Sequence, residues 1–131
     1  MIAPDGLQPT VLIVAKFRDQ SELMRDVLGP AGYGCLLASD TYEALQLFRQ
    51  LRPALVLSDL GRPGAIVDGV ELLKQIKRVD TNVPVVFLTG GVDDEVEAEC
   101  LRLGASAVLH RPMHFDRLLA AAAHALGYEG N

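Results

Sequence analysis

Tryptophan is absent from this chain of 131 residues, which contains only three tyrosines and four phenylalanines. Half of the residues are nevertheless hydrophobic, so any core must be built mainly from aliphatic side chains. No apolar run approaches the roughly 18 residues that a membrane-spanning helix needs. The length suits one domain, and we expect a soluble, cytoplasmic protein.

An excess of basic residues is also missing. Lysine and arginine number 12 against 17 aspartates and glutamates, and the formal net charge is −5. Because nucleic acids and acidic membranes favour a basic surface, we expect neither as a partner. The only cysteines, Cys35 and Cys100, show no metal-ligand spacing, so we expect two unpaired thiols that pack as small hydrophobic side chains.

Five short apolar runs alternate with segments of helical periodicity. The runs are continuous, as in parallel strands that are covered on both faces, and occupy residues 11–14, 35–38, 54–57, 84–88 and 106–109. This alternation predicts an α/β fold, a (βα)5 doubly wound parallel sheet with strand order 2-1-3-4-5. The predicted organisation is a flexible leader over 1–9, one domain over 10–127 and a tail over 128–131.

The limits of the helices are marked by a few residues. Ser21 is a candidate N-cap for the first helix, and Pro53 must follow the second helix rather than continue it. The fourth helix begins with acidic residues and ends at Gly104, and the fifth stops near Gly127.

In this strand order, ligands bind outside the carboxyl ends of the strands, where the order reverses. Taken alone, a carboxylate such as that of Asp59 could equally be a helix cap or a loop hydrogen-bonder. A carboxylate, a hydroxyl and a cation that converge there would suit phosphoryl transfer, which depends on positioning and charge neutralisation. The residues at these strand ends are Ala15, Lys16, Asp59, Thr89, Gly90 and Arg111.

Several short motifs resemble, in order, those of response-regulator receiver domains. They are VLIV at 11–14, LVLSDL at 55–60, PG and then DG within 63–69, PVVFLT at 84–89, LGA at 103–105 and RP at 111–112. The resemblance covers residues 10–127 and implies a flavodoxin-like fold and two-component phosphorelay signalling. In that family a histidine kinase donates a phosphoryl group to an aspartate in a magnesium-dependent step. The resemblance implies that Asp59 is the phosphoacceptor position, Thr89 the switch hydroxyl and Arg111 the position of the family's lysine.

The sequence departs from the family pattern where magnesium is usually held. Ala15 and Lys16 stand in place of two adjacent acidic residues. Lys16 would repel a magnesium ion, because two like unit charges about 4 Å apart repel by roughly 4 kcal/mol at an effective dielectric near 20. This repulsion would lower the affinity for magnesium by about three powers of ten. We therefore expect no metal site and no cofactor. We also expect Lys16 to form an ion pair with Asp59 in place of the metal, the alternative being that Lys16 extends into solvent.

Four further departures surround the predicted pocket, which also includes Gly61 and Gly90. Arg111 replaces a lysine, and Arg62 stands where methionine is common. The segment 64–69 is two residues longer than usual, and we expect a longer, more mobile loop. Val108 replaces the aromatic residue whose ring normally relays phosphorylation.

The resemblance and these departures predict an atypical receiver domain that acts as a protein-interaction module with impaired Mg-dependent phosphorylation. The first alternative is a working receiver that a histidine kinase phosphorylates on Asp59, with magnesium bound and with Arg111 and Arg62 in part compensating. Catalysis would then be limited to self-phosphorylation and autodephosphorylation at Asp59. A more distant alternative is an unrelated flavodoxin-like protein that binds flavin or another anion.

The family's usual contact face implies where partners would bind. This face comprises the fourth helix, the fifth strand and the fifth helix, and the expected partners are a histidine kinase, a phosphotransfer protein or another signalling domain. Four consecutive alanines at 120–123 leave a homodimer open. His110 and His114 flank Pro112 and cannot share one helix face, so no zinc pair is expected.

Overall fold

The computed structural model describes residues 8–91, 94–112 and 114–128. The strands are Thr10–Val14 (β1), Gly34–Ala38 (β2), Leu55–Asp59 (β3), Val85–Thr89 (β4) and Ala107–His110 (β5). The helices are Arg18–Leu28 (α1), Thr41–Leu51 (α2), Gly69–Val79 (α3), Asp94–Arg102 (α4) and Phe115–Ala125 (α5), and a short 3-10 helix spans Gly29–Ala31. Among the described helices, none is both long and apolar enough to cross a lipid bilayer.

The five strands form one parallel sheet in the order β2-β1-β3-β4-β5. The predicted flavodoxin-like topology is therefore confirmed. In the centre of the sheet Ile13 is level with Leu37 on one side and with Leu57 on the other. Helices cover both faces, which explains why the central strands are apolar without a polar alternation.

The core lies in two layers, one on each face of the sheet. Phe48 of α2 and Ile76 of α3 are fully covered on one face, together with Cys100 of α4. Leu28 of α1 and Leu118 of α5 are buried against the other face. Cys35 and Cys100 are both free thiols, and burial raises the pKa of each. The expectation of an aliphatic core with unpaired cysteines is confirmed.

The start of α1 differs from the sequence prediction. The helix begins at Arg18 with Phe17 as its N-cap, one turn before the predicted cap. Ser21 lies inside the first turn, where its hydroxyl donates to the Arg18 carbonyl at 3.0 Å. The prediction was wrong because the residues from Arg18 to Gln20 are polar, so the first turn adds nothing to the apolar periodicity.

The other helix limits agree with the sequence. The second helix ends at Leu51, before Pro53. Gly104, with φ of 106°, follows α4, and Gly127, with φ of 78°, follows α5. Val92 and Asp93, with which the apolar and acidic pattern of the fourth helix begins in the sequence, lie outside the described residues.

Contacts of the fold continue slightly beyond residues 10–127. Pro9 is buried, and its carbonyl accepts a hydrogen bond from the Gly34 amide at 2.9 Å. Tyr128 packs against the core layer under α1 and α5. Of the predicted leader and tail, residues 1–7 and 129–131 lie outside the described residues.

The segment between β3 and α3, residues 61–68, is held by hydrogen bonds at its far end. The Asp68 carboxylate caps α3 by accepting from the Glu71 amide at 3.1 Å, and it also accepts from the Gly64 amide at 2.9 Å. The Asp68 amide donates to the Thr41 hydroxyl at 2.9 Å, and the Thr41 amide donates to the Ile66 carbonyl at 3.0 Å. This segment was expected to be mobile, and α2 and α3 both anchor it.

Substituting Gly69 should destabilise the fold, although alanine normally favours a helix. A Cβ atom there would lie 2.5 Å from the Leu60 carbonyl oxygen and 2.8 Å from a ring carbon of Phe87. We expect Gly69→Ala to lower the free energy of unfolding by about 1–3 kcal/mol in urea titrations. Gly29 offers a matched control because nothing lies within 4 Å of its Cβ position. Gly29→Ala should leave stability unchanged or raise it slightly, and equal losses in both variants would contradict the steric argument.

Removing the Asp68 carboxylate should cost more than removing an ordinary helix cap. Asp40 caps α2 by accepting from the Glu43 amide at 2.6 Å. Asp40→Ala should lower the free energy of unfolding by about 1 kcal/mol. Asp68→Ala also releases Gly64, and should therefore cost about 0.5–1.5 kcal/mol more. Urea midpoints measure both, and equal losses would show that the bond to Gly64 adds no stability.

Candidate functional site

Asp59 and Arg111 meet at the carboxyl edge of the sheet. Asp59 is the last residue of β3, and Arg111 follows β5, with its amide donating to the Thr89 carbonyl at 2.8 Å. The peptide bond between Arg111 and Pro112 is cis. Nη2 of Arg111 donates to Oδ1 of Asp59 at 2.5 Å, although the two residues are 52 positions apart. The Asp59 side chain is only 14% exposed, so this ion pair is partly shielded from water.

Lys16 is not the partner of Asp59. Its side chain is exposed, and its Nζ lies 5.3 Å from the centre of the Phe17 ring. The predicted Lys16–Asp59 ion pair is therefore replaced by the Arg111–Asp59 pair. The reason is that the turn after β5 brings a guanidinium directly onto the carboxylate, while Lys16 keeps its hydration and a cation–π contact.

Ala15 differs from the other predicted pocket residues. It is fully buried in the core layer under α1 and α5, and its amide donates to the Ala38 carbonyl at 3.0 Å. It therefore lies beneath the site rather than in it. Of the two positions that lack an acidic residue, Lys16 is the one with access to the cavity.

Thr89 ends β4 and is 5% exposed. Its hydroxyl oxygen accepts a hydrogen bond from the Gly91 amide at 3.1 Å. Because a hydroxyl can donate while it accepts, the Thr89 proton remains able to bind an anion. Gly90, which follows, is exposed at the same edge.

These side chains surround one cavity of about 800 Å³. The predicted residues Lys16, Asp59, Gly61, Arg62, Thr89, Gly90 and Arg111 all line it. The lining also includes apolar residues that sequence reasoning missed, namely Phe17, Ile66 and Val96. In the sequence Phe17 and Ile66 look like ordinary neighbours of a strand and a turn, and their exposure at the cavity is visible only in the structure.

The donor set of this cavity does not fit a magnesium ion. Magnesium prefers octahedral oxygen coordination with one or two carboxylates. Asp59 is the one acidic residue among the described lining residues, and Arg111 already occupies one of its oxygens. In the described part of the chain, no group of three or more His, Cys, Asp or Glu side chains could hold a metal ion.

A second contact, which the sequence analysis missed, joins β5 to α4. Nε2 of His110 lies 2.7 Å from Oε1 of Glu97, at hydrogen-bonding distance. Val108 packs against the core layer under α2, α3 and α4, where the family usually has an aromatic ring. Only the tertiary structure brings His110 and Glu97 together, since in the sequence Glu97 is one of several acidic residues on a helix.

Comparisons with known proteins agree on one family. A family model described as the response regulator receiver domain matches residues 11–123. The nitrogen assimilation regulatory protein NtrX of Azorhizobium caulinodans is 34% identical over 116 residues, which are 88% of this chain and 26% of that protein. The transcriptional regulatory protein FixJ of Bradyrhizobium diazoefficiens is 36% identical over 106 residues, or 78% of this chain and 51% of that protein.

Two further relatives match this chain over most of their own length. The sporulation initiation phosphotransferase F of Bacillus subtilis is 31% identical over 109 residues, or 83% of this chain and 86% of that protein. The crystal structure of the receiver domain of NtrX from Brucella abortus is 30% identical with a TM-score of 0.82, covering 91% of this chain and 99% of that one. The chain spans between 11% and 51% of the length of the first curated relatives that it matches. By sequence and by fold, the chain belongs to the response-regulator receiver domains.

Proposed function

We propose that this receiver domain takes part in two-component signalling in the cytoplasm as a protein-interaction module whose magnesium-dependent phosphorylation is impaired. The observation that carries the proposal is the lining of the cavity, where Asp59 is the one carboxylate among the described residues and three cations, Lys16, Arg62 and Arg111, line the same space. The carboxylate at the phosphoacceptor position is therefore already neutralised by a group of the chain itself.

The ion pair has a direct chemical consequence. When a carboxylate attacks a phosphoryl group, its oxygen loses negative charge, so an ion pair that stabilises this charge in the ground state is weakened in the transition state. The guanidinium of Arg111 stabilises that ground state before any donor arrives, so it adds to the barrier unless it follows the charge into the transition state. The guanidinium of arginine is a rigid planar fork, whereas a lysine ammonium lies on a flexible chain. The Arg111 side chain is therefore better suited to a fixed ion pair than to following the reacting oxygen.

A working receiver is the second candidate, and one observation favours it. Asp59, Thr89 and Arg111 line the same cavity, and Lys16 and Arg62 add positive charge that could neutralise phosphoryl oxygens. In that case the activity would be limited to self-phosphorylation and autodephosphorylation at Asp59.

The proposed partners are proteins of the same signalling class. Similar proteins include one named sensor histidine kinase RcsC in Escherichia coli and the phosphotransferase of Bacillus subtilis. We place the contact on α4, β5 and α5. Within this face, the His110–Glu97 contact joins α4 to β5. Of the acidic residues of α4, Glu97 faces β5 through His110, whereas Glu95 and Glu99 line a cavity with Glu71 and Lys74 of α3.

The main proposal predicts that the purified domain resists chemical phosphorylation. With magnesium and acetyl phosphate, intact-mass measurements should show no phosphoryl adduct within an hour, because no second carboxylate helps Asp59 to hold the metal. The control is Asp59→Asn under the same conditions. An adduct in the unmodified chain that the control lacks would contradict impaired phosphorylation and would support the working receiver.

Lys16→Asp should restore magnesium binding. The position is exposed and lines the cavity, whereas Ala15 is buried, so this single substitution adds a carboxylate without disturbing the core. Removing the repulsion and adding an attraction should tighten binding at least about 100-fold by calorimetry.

Lys16→Ala separates the two effects, because it removes the repulsion without adding a ligand. Arg49→Asp is the matched control, since it makes the same charge change on an exposed residue of α2 outside the cavity. Equal magnesium affinity in Lys16→Asp and Arg49→Asp would show that Lys16 does not govern the metal site.

A further inference from the structure

We propose that the cavity at the sheet edge binds a small phosphate monoester that carries an aromatic or apolar group, without a metal ion and without a covalent bond. The proposal names a ligand for the same pocket as the proposed function, and it rests on the proposed loss of the metal ion from that pocket. It assigns a chemical role to Lys16, Arg62 and Arg111, the three cations that line the cavity.

The charge of the cavity is opposite to the charge of the chain. Among the described residues, Lys16, Arg62 and Arg111 line it against the single carboxylate of Asp59, while the chain as a whole carries −5. Within the described part of the structure, neither Lys16 nor Arg62 forms an ion pair with a carboxylate. Positive charge that is concentrated in a concave site and left without a partner attracts anions.

The cations are of the types that bind phosphate. Two of the three are arginines, whose planar fork donates two parallel hydrogen bonds to phosphate oxygens. The Thr89 hydroxyl accepts from the Gly91 amide, and its proton is available to a further oxygen. A phosphate group therefore finds both charge and hydrogen-bond donors at this edge.

The other part of the lining is apolar and faces water. Phe17 is 56% exposed and Ile66 is 57% exposed, although side chains of this size are usually covered. The Lys16 ammonium lies over the Phe17 ring, so the aromatic group and one phosphate-binding cation are adjacent. The volume of about 800 Å³ falls within the range of about 300–1,000 Å³ that small-molecule sites occupy. A ligand with a phosphate at one end and a ring at the other matches both parts.

Asp59 should oppose this ligand. The phosphate would compete with the Asp59 carboxylate for Arg111 and would lie close to its negative charge. Removing the charge of Asp59 should therefore strengthen binding. A metal site would behave in the opposite way, since it needs the carboxylate.

The test is a titration of the ¹⁵N-labelled chain with adenosine monophosphate in the presence of EDTA, followed by two-dimensional NMR. Inorganic phosphate and adenosine are titrated separately. We expect saturable shifts at the amides of Lys16, Gly61 and Gly90, with weaker binding of inorganic phosphate and none of adenosine. Because EDTA removes the metal, the result does not depend on whether Asp59 can be phosphorylated.

Variants test the assignment of the charges. Lys16→Ala and Arg62→Ala should each weaken binding of adenosine monophosphate about fivefold to tenfold, and Asp59→Asn should strengthen it about fivefold. Arg49→Ala, which removes an exposed cation of α2 outside the cavity, should have no effect.

Three outcomes would overturn the proposal. The first is the absence of saturation at about 10 mM ligand, a concentration far above the dissociation constants of specific sites. The second is an equal effect of the Lys16 and Arg49 variants, and the third is weaker binding by Asp59→Asn. Equal affinities for adenosine monophosphate and inorganic phosphate would overturn the assignment of the apolar half. A magnesium-dependent adduct on Asp59 would instead contradict the proposed function, and the metal-free titration would still report on the ligand.

Discussion

The ion pair between Arg111 and Asp59 is possible only because β3, β4 and β5 lie in parallel register. Asp59 pairs with Leu88 across one strand boundary, and Thr89 pairs with His110 across the next. Each strand therefore ends at the same edge, and the residue after β5 reaches the end of β3. The buried apolar residues that hold this register also fix the distance between a cation and a carboxylate that are far apart in the sequence.

Charge is what distinguishes this pocket from the usual pattern of its family. At the two positions after β1 where the resemblance to the family predicts acidic residues, the chain has one buried small residue, Ala15, and one exposed cation, Lys16. Arg62 adds a further cation from the segment after β3, and that segment is anchored by Asp68 to the start of α3. In the proposed function the pocket suits anions rather than a metal ion, while the order of the strands is that of the family.

The surface that would transmit a signal is also altered. Val108 supplies no ring to β5, and the His110–Glu97 contact instead connects the end of β5 to α4. The His110–Glu97 contact depends on the charges of its two side chains. The aromatic ring that the family commonly has at the position of Val108 depends instead on the space left by the switch hydroxyl. Thr89 lines the pocket, and its hydroxyl oxygen accepts a hydrogen bond from the Gly91 amide.

The sequence by itself determined the alternation of strands and helices, the order of the strands and the edge at which the site lies, because continuous apolar runs and crossover rules depend on local patterns. It did not determine the partner of Asp59, which was predicted to be Lys16 and is Arg111. It also missed the first turn of α1 and the exposed Phe17 at the cavity. Only the tertiary structure could decide these points, because several cations follow the strand ends, and the turn after β5 selects which of them reaches the carboxylate.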